Sequence, residues 1–423
     1  MRAACSICFL WVMGILLAGC FGGREISSEN LSSLYRQEEQ LFHPEFSVFH
    51  FTADSSTLFV KFDTEELLKV RQSEAGFKAA LRLQCKLVES YESAVLLDSV
   101  SADFIVDPLA PDSPGRSRLF TIDFRIPKSG SFLLSCTLVD VNKNVSEEFF
   151  IHVDHEGKQS RHHFFVSSNQ PDVPLFRNYL ALEDTFHVRF YDAAVQKLFV
   201  SYYHRHFPLA PPPFSFDMHE DFDYTPDSTF TVANDFSNLN FPGEGFYHFQ
   251  VDTNSIDGLT LFRFKGGFPS VTTPDQMIEA TRYLTSRREF EEITTAASKK
   301  AAVDKFWLNI GDHPDRTRLL IKKYYSRIRE SNRMFSCHTE GWRSDRGMIY
   351  IVFGAPNFVY KSSVSESWIY GQPNNALSLN FFFTKVNNPF TDNDFMLSRA
   401  PVYESSWYRA VDYWRQGRVY NDF

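Results

Sequence analysis

After its first 20 residues the sequence has no apolar stretch long enough to cross a membrane, which needs roughly 20 consecutive apolar residues. It also has no basic excess, because 52 acidic residues outnumber 43 basic ones and the net charge is −9. Nucleic-acid-binding proteins carry a basic stripe or patch, so this charge argues against a nucleic-acid partner.

The sequence also lacks the common signatures of catalytic and metal sites. It contains no Gly-rich phosphate loop, no nucleophile elbow and no pair of metal ligands on a helix. His204 and His206 share one face of a predicted strand, but no third zinc ligand is evident. One loop has alternating acidic and imidazole side chains without the glycine and distal glutamate of a calcium loop, at Asp217, His219, Asp221 and Asp223. We therefore predict neither a metal nor a cofactor, and the pattern favours a non-enzymatic protein over an enzyme.

The N-terminus has the pattern of a secretory signal. Arg2 precedes a short apolar run that ends in Leu17-Ala18-Gly19-Cys20. A basic start, a short apolar core and small residues before the cut are typical of a signal peptide, here residues 1–19. The ending resembles the bacterial lipobox, which implies cleavage before Cys20 and its acylation, with palmitate among the attached chains. The alternative is an ordinary signal peptide with an incidental cysteine.

The residues after Cys20 indicate which membrane would hold the protein and which side of that membrane it would face. Phe21, Gly22 and Gly23 follow it, with no aspartate and no acidic run behind them. The similarity to lipoprotein sorting rules implies the outer membrane rather than the inner one, and the periplasmic side rather than the cell surface. We expect residues 20–42 to form a lipidated tether.

Phenylalanine is abundant, with 44 residues, and aromatic-rich β-sandwiches would account for it. About 400 residues remain after the signal, which suits two or three domains. Between residues 46 and 153 seven short apolar segments alternate in period 2, as do Phe120, Ile122 and Phe124 against polar neighbours. We predict immunoglobulin-like β-sandwich 1 at residues 43–158 and a second, β-sandwich 2, at 159–268.

Three cysteines follow Cys20, and two of them form a candidate disulfide. Cys85 and Cys136 both occupy inward positions of predicted strands in β-sandwich 1. Cysteines on different strands could pair across the core, as in immunoglobulin domains. The alternative is two buried free thiols.

From residue 269 the apolar period changes from 2 to 3.6, which indicates helices. Thr273 with Gln276 and Ser286 with Glu289 are capping boxes. The last helix before residue 336 is strongly basic, and its candidate partner face consists of Arg316, Lys322, Lys323 and Arg327. Such a face suits an acidic partner or anionic lipid. The alternative is a solvated face paired with Glu289, Glu291 and Glu292 of a neighbouring helix.

A dense turn motif follows, Gly-Trp-Arg-Ser-Asp-Arg-Gly at residues 341–347. We expect its glycines to adopt positive φ, Asp345 to accept from backbone N–H groups of the turn, and Trp342 to plug it. Arg346 would pair with Asp345 or another nearby carboxylate. Residues 348–353 alternate as a buried strand, and residues 367–371 and 377–385 add further strands of a small antiparallel sheet. The motif residues are Gly341, Trp342, Ser344, Asp345, Arg346, Gly347, Gly354, Pro356 and Trp368.

These residues resemble the signature of the GWxTD-domain proteins: Gly-Trp-x-Thr-Asp-Arg-Gly, an apolar segment ending in Gly-x-Pro, and then Glu-x-Trp-x-Tyr. Glu366, Trp368 and Tyr370 fit the last element, whereas Ser344 stands in place of threonine and keeps only the hydroxyl. The similarity covers about residues 270–423. Many members are Bacteroidota envelope lipoproteins with sandwich domains ahead of the motif, and the family implies placement and architecture rather than an activity.

The C-terminal tail is rich in aromatic residues, at Tyr403, Trp407, Tyr408, Tyr413, Trp414 and Tyr420. Such a tail either packs on its own domain or is held by another protein, and packing is favoured. Asp345 has Cys337, His338 and Glu340 nearby in sequence, but none makes a recognised catalytic spacing with it.

The sequence therefore predicts a mainly β protein, with two immunoglobulin-like β-sandwiches in series. A C-terminal α+β domain at residues 269–423 follows, with helices packed on a small antiparallel sheet. The expected function is a scaffold or accessory subunit of an envelope machine, such as type IX secretion with gliding or outer-membrane protein assembly. The alternative is an envelope enzyme or glycan-binding protein that uses the GWxTD cleft or the sandwiches.

Overall fold

The structure is a computed structural model that describes residues 25–71, 76–107, 116–168, 170–216, 222–235 and 237–420. The signal peptide, Cys20 and the residues Asp217, His219 and Asp221 lie outside the described residues. Among the helices in those ranges, none combines the length and the hydrophobicity that a membrane span requires.

β-Sandwich 1 consists of two antiparallel sheets with a shared aliphatic and aromatic core. The first sheet has the order β1 (Glu45–His50), β2 (Ser55–Asp63) and β6 (Ser117–Arg125). The second contains β3 (Val70–Arg71), β4 (Phe77–Val88), β5 (Leu96–Val106), β7 (Gly130–Asp140) and β8 (Val145–His155). Phe120, Ile122 and Phe124 are buried on alternate positions of β6, which confirms the predicted period.

β-Sandwich 2 has a smaller sheet facing a larger one. The smaller sheet pairs β9 (Phe164–Ser167) with β10 (His187–Phe190). The larger contains β11 (Lys197–Tyr203), β12 (Ser228–Ala233), β13 (Gly245–Gln250) and β14 (Leu259–Arg263), in the order β12-β11-β13-β14. Val188, Val200 and Phe249 lie in the core between the sheets.

The described part of the C-terminal domain combines six α-helices with a four-stranded antiparallel sheet. The helices are α1 (Pro274–Ala280), α2 (Arg287–Thr294), α3 (Lys299–Gly311), α4 (Pro314–Phe335), α5 (Asp345–Phe353) and α6 (Glu404–Arg415). The sheet has the order β15 (Phe358–Lys361), β16 (Ser365–Tyr370), β17 (Leu379–Lys385) and β18 (Phe395–Leu397). Both predicted capping boxes are present, at Thr273 and Ser286. The fold class predicted from the sequence is therefore confirmed.

The prediction of a strand at residues 348–353 is wrong, because these residues belong to helix α5. Ser344 caps its N-terminus, and every residue of the helix is buried. A helix buried on all sides shows no amphipathic period, so a short apolar run of this kind reads equally well as a buried strand.

The segment before β-sandwich 1, which the sequence suggested was a tether, packs on the C-terminal domain. It contains three short 3₁₀ turns, Ile26–Ser28, Ser32–Tyr35 and Gln37–Glu39. The backbone N–H of Leu31 donates to the carbonyl of Val359 at 2.8 Å, and Leu31 and Tyr35 are buried in the C-terminal core. We call residues 26–39 the N-terminal strap.

Candidate functional site

The GWxTD motif joins the end of α4 to α5 in a tightly packed turn. Ser344 donates through its hydroxyl to the Gly341 carbonyl at 2.7 Å and accepts from the Gly347 backbone N–H at 3.2 Å. Neither Gly341 nor Gly347 has a positive φ, so that expectation is wrong. A Cβ on Gly341 would lie 2.0 Å from the Ser331 carbonyl oxygen, and one on Gly347 only 1.9 Å from the Gly341 oxygen. The glycines are needed because backbone approaches backbone.

The close backbone contact at Gly347 predicts that alanine destabilises the protein there, which is the opposite of its usual effect in a helix. At an unhindered helix position, alanine stabilises the helix by about 1 kcal/mol relative to glycine. Gly347→Ala should instead lower the free energy of unfolding by about 1–3 kcal/mol, the usual cost of overpacking. Urea unfolding followed by tryptophan fluorescence measures this, because all five tryptophans after residue 20 lie in the C-terminal domain.

Gly266→Ala is the matched control, since a Cβ there would meet nothing within 4 Å. It should leave the urea midpoint nearly unchanged. If Gly347→Ala were as stable as Gly266→Ala, the close backbone contact would not be what the glycine provides.

Trp342 is the plug of the turn, as expected. Its indole is buried, and the Arg343 guanidinium lies 4.5 Å from the ring centroid. The Tyr283 hydroxyl donates to the Trp342 carbonyl at 3.0 Å. Arg343 in turn pairs with Glu340 at 2.7 Å and with Glu279 at 2.5 Å. The plug therefore connects the motif to α1 and to the turn that follows α1.

Asp345 does not form the Asx turn that the sequence suggested. Its carboxylate accepts from the Leu397 backbone N–H at 2.7 Å and from Arg399 Nη1 at 3.1 Å, and it also accepts from Arg399 Nη2. Asp345 is buried, and both of its oxygens are occupied by these donors. The side chain thus fastens the start of α5 to β18.

Arg346 reaches a buried carboxylate on the sheet instead of Asp345. Its Nη1 lies 2.9 Å from Glu366 Oε1 on β16, and its guanidinium stacks between the rings of Phe335 and Phe395. Glu366 is completely buried and accepts three further contacts, from Lys361 Nζ, the Tyr35 hydroxyl and Trp368 Nε1. We call Arg346, Glu366, Lys361 and Tyr35 the Glu366 cluster.

The electrostatics of the Glu366 cluster follow from burial and charge. Burial by itself would raise the pKa of Glu366, but Lys361 and Arg346, together with the hydrogen bond from Tyr35, lower that pKa to about 2. Burial and the Glu366 charge raise the pKa of Tyr35. The carboxylate therefore stays ionised and holds the N-terminal strap, α5 and the sheet together.

Gly354 and Pro356 complete the motif at the other end of α5. Gly354 has φ of +86°, and a Cβ there would lie 2.6 Å from Arg327 Nη2. The Gly354 carbonyl accepts from the Tyr370 hydroxyl at 2.8 Å, and the Pro356 carbonyl accepts from Arg36 of the strap at 3.3 Å.

Arg327 does not belong to a partner face, and this part of the prediction is wrong. Its guanidinium is buried, and it donates to the carbonyls of Ile351 at 3.0 Å and Tyr420 at 2.8 Å. Burial lowers the pKa of Arg327 to about 10, against the opposite effect of nearby Tyr350. Arg327 closes the C-terminal end of α5, a role that helix periodicity alone does not reveal.

The other basic residues of α4 do reach solvent. Arg316 and Lys322 are exposed, whereas Lys323 is partly buried and pairs with Glu38 of the strap at 3.0 Å. Four exposed basic residues share one face of α4, because successive members are four or seven positions apart along the helix. They are Arg318, Lys322, Arg329 and Arg333. We call these four residues the basic stripe.

The acidic residues of α2, which the sequence offered as partners for α4, are engaged elsewhere. Glu289 pairs with Arg415 on α6 at 2.7 Å. Glu291 and Glu292 pair along their own helix, with Arg287 at 2.9 Å and with Arg288 at 2.8 Å. The basic stripe is therefore not neutralised by α2.

The aromatic tail packs on its own C-terminal domain, which the sequence favoured over binding by another protein. Trp407, Trp414 and Tyr420 are buried, and Trp414 Nε1 donates to the Val352 carbonyl at 3.0 Å. Tyr408 and Tyr413 remain partly exposed on α6.

Cys85 and Cys136 are directly opposite each other on β4 and β7 of one sheet, so they do not face each other across the core. Both are buried free thiols, with their Sγ atoms 3.1 Å apart. The alternation of the strands correctly placed both side chains inward, but it could not distinguish neighbouring strands from facing sheets.

A cavity that no motif indicated lies between β-sandwich 1 and the sheet of the C-terminal domain. Its volume is about 370 Å³. Polar side chains dominate its lining, among them Ser131, His152, Lys361, Lys385 and Asp392. Asp392 is fixed there by Arg161 at 2.7 Å and by His152 at 2.9 Å.

The fold and the buried motif define a multidomain, mainly β protein whose C-terminal α+β domain is built around ion pairs. Residues 245–416 match the family model of the GWxTD domain. The chain therefore contains a GWxTD domain, as the resemblance at residues 341–370 predicted. The match begins in β13, inside β-sandwich 2.

Comparison with other proteins adds little to this assignment. No curated protein matches the chain. The crystal structure of red sea bream transglutaminase is similar at 11% identity, over 55% of this chain and 33% of that one, with a TM-score of 0.17. A likeness at that score carries no argument about fold or function.

Proposed function

We propose that this protein is an outer-membrane lipoprotein facing the periplasm, acting as a non-enzymatic scaffold or accessory subunit of an envelope machine. The observation that carries the proposal is that the charged residues of the motif region are buried and paired within the protein, Arg346 with Glu366 and Asp345 with Arg399. Catalytic acids and bases need access to a substrate, whereas these side chains fasten elements together. By family context, the machine is type IX secretion with gliding, or outer-membrane protein assembly.

The strap supports an arrangement with the C-terminal domain close to the membrane. Residue 25 lies five positions after Cys20, and an extended chain over five positions spans at most about 18 Å. The strap is held by the C-terminal domain through Leu31, Tyr35 and Glu38. A lipid on Cys20 would therefore hold this domain, rather than the far end of the sandwiches, near the lipid headgroups.

The anchor is tested by Cys20→Ala. We expect the variant to be lost from the outer-membrane fraction and to lose metabolic labelling by a palmitate analogue, because the lipid-bearing thiol and the cleavage signal are both changed. Cys85→Ser, which alters a buried thiol outside the signal sequence, is the control and should remain in the membrane fraction. Retention and labelling of the alanine variant would contradict the anchor.

The scaffold role is tested by affinity purification from native membranes after mild cross-linking. We expect a complex with other envelope proteins, and Lys322→Glu with Arg329→Glu should reduce partner recovery at least about tenfold, since like charges at an interface cost several kcal/mol. Lys305→Glu on α3 is a matched control, because Lys305 is exposed but lies outside the basic stripe. Recovery of a free monomer from wild-type membranes would contradict a scaffold.

The polar cavity favours one second candidate, a glycan-binding protein. Serines, lysines and carboxylates around about 370 Å³ are suited to sugar hydroxyls. Lys385→Ala with Ser131→Ala should then weaken retention on immobilised cell-wall glycan. Equal retention of the variant and the wild type, or no retention of either, would leave the scaffold as the function.

A further inference from the structure

Three side chains of metal-ligand type converge just before the GWxTD motif. Cys337 and His338 lie in the turn after α4, and Asp394 directly precedes β18. One donor atom from each lies within 4.8 Å of the other two, and His338 Nδ1 is 3.5 Å from Asp394 Oδ2. Because His338 and Asp394 are 56 positions apart, no local spacing reveals the set, and the sequence led us to predict no metal.

A side-chain amide stands where the donor atoms converge. Asn388 Nδ2 is 3.0 Å from His338 Nδ1 and 3.2 Å from Asp394 Oδ2. An amide NH₂ group only donates, so His338 turns the lone pair of Nδ1, and Asp394 a lone pair of Oδ2, toward one point. A bound cation requires its ligands to direct their lone pairs toward one point in this way.

The third donor is held in a suitable position. The Cys337 side chain is buried, and its backbone N–H donates to the Thr339 carbonyl at 3.1 Å, which closes the turn. Burial raises the pKa of this thiol, so a metal must displace the thiol proton to bind the sulfur as thiolate.

The position is also reachable. His338 lines a cavity of about 380 Å³ between the C-terminal domain and β-sandwich 2, and the Phe207 ring lies 4.4 Å from the His338 ring. His338 and Asp394 are each slightly exposed, at 16% and 18% of their side chains. Solvent therefore reaches two of the three side chains, and water can supply a fourth ligand.

We propose that Cys337, His338 and Asp394 bind a divalent transition metal at this joint. One thiolate, one imidazole and one carboxylate form a donor set that zinc accepts in tetrahedral geometry. The ion would fasten the turn before the motif to the segment before β18, the same strand that Asp345 holds from α5. Its role is to stabilise the GWxTD domain, and it is independent of the proposed scaffold function.

The test uses the full mature chain, stripped of metal and titrated with Co²⁺ alone. We expect one equivalent to bind with a thiolate-to-cobalt charge-transfer band, and Zn²⁺ to displace it. Cys337→Ser should remove the band, while His338→Ala and Asp394→Asn should weaken binding by about 100-fold or more, beyond the 10–100-fold typical of outer-shell changes. Cys85 and Cys136 remain in Cys337→Ser, so a band that persists there would overturn the proposal.

Asn388→Asp gives a gain-of-binding control that does not depend on a damaged ligand. It replaces the competing amide donor with a fourth oxygen ligand, so we expect tighter Co²⁺ binding than in the wild type. Zn²⁺ should also raise the thermal midpoint of the wild type, followed by tryptophan fluorescence, but not that of Asp394→Asn. Failure of the wild type to bind either ion at micromolar concentration would overturn the proposal.

Discussion

Glu366→Gln should lower the free energy of unfolding of the C-terminal domain by about 3–5 kcal/mol. This is the usual cost of removing one charge of a buried ion pair while its partner stays buried. The substitution keeps the shape of the side chain but leaves Arg346, which is buried, and Lys361 without their counter-charge. Tryptophan fluorescence during urea unfolding measures the loss. The N-terminal strap should also become sensitive to protease, because Tyr35 donates to Glu366 at 2.8 Å.

An exposed ion pair of the same domain provides the control. Glu291→Gln removes the partner of Arg287 on α2, where both side chains are more than half exposed, and should cost less than about 1 kcal/mol. Arg346→Met combined with Glu366→Gln should recover part of the loss, since the uncompensated cation is then gone. Equal stability of Glu291→Gln and Glu366→Gln would mean that the Glu366 cluster does not hold the domain together.

The strands of both sandwiches could be predicted because their side chains alternate between core and solvent. Phe120, Ile122 and Phe124 show this period in the sequence and are buried in the structure. The capped helices α1 and α2 could be predicted because capping boxes are local, as at Thr273 and Ser286. Helix α5 could not, because complete burial removes the polar face by which a helix is distinguished from a buried strand.

The motif was predictable as a unit, but its contacts were not. Ser344 acts within four residues, so its bond to Gly347 could have been anticipated as a helix cap. Asp345 instead contacts Arg399, 54 residues away, and Glu366 contacts Tyr35, 331 residues away. Sequence spacing carries no information about such pairs, because they depend on which elements the fold brings together.

The joint between the two sandwiches is built on histidine. The rings of His155 and His163 each lie 4.8 Å from the ring of His50, centroid to centroid. His50 contacts the Ser56 hydroxyl at 2.7 Å and the Asp154 carbonyl at 2.9 Å, so its ring bridges β1, β2 and β8. Burial lowers the pKa of His50 to about 3 and that of His163 to about 4, and neighbouring histidines act in the same direction.

We expect this joint to make the protein sensitive to mild acid. Below pH about 6.5 the unfolded chain binds protons at His50 and His163, while the folded state does not until pH approaches 4. The contribution of these groups to stability is therefore complete above pH 6.5 and is lost as the pH falls. At pH 5 the two histidines together should lower the free energy of unfolding by about 4 kcal/mol, at about 1.4 kcal/mol per group per pH unit.

Urea unfolding followed by far-ultraviolet circular dichroism, between pH 7.5 and pH 5, measures this loss. The buried carboxylate of Glu366 does not interfere, because its pKa of about 2 lies below that of an unfolded glutamate and matters only in stronger acid. His50→Gln should remove about 2 kcal/mol of the loss at pH 5, because His162 and His248 also have lowered pKa values and still contribute. His206→Gln, at an exposed position, should leave the loss unchanged. If the slope of stability against pH were the same in His50→Gln and the wild type, protonation at the joint would not be the cause, and the acid sensitivity would have to arise from another group.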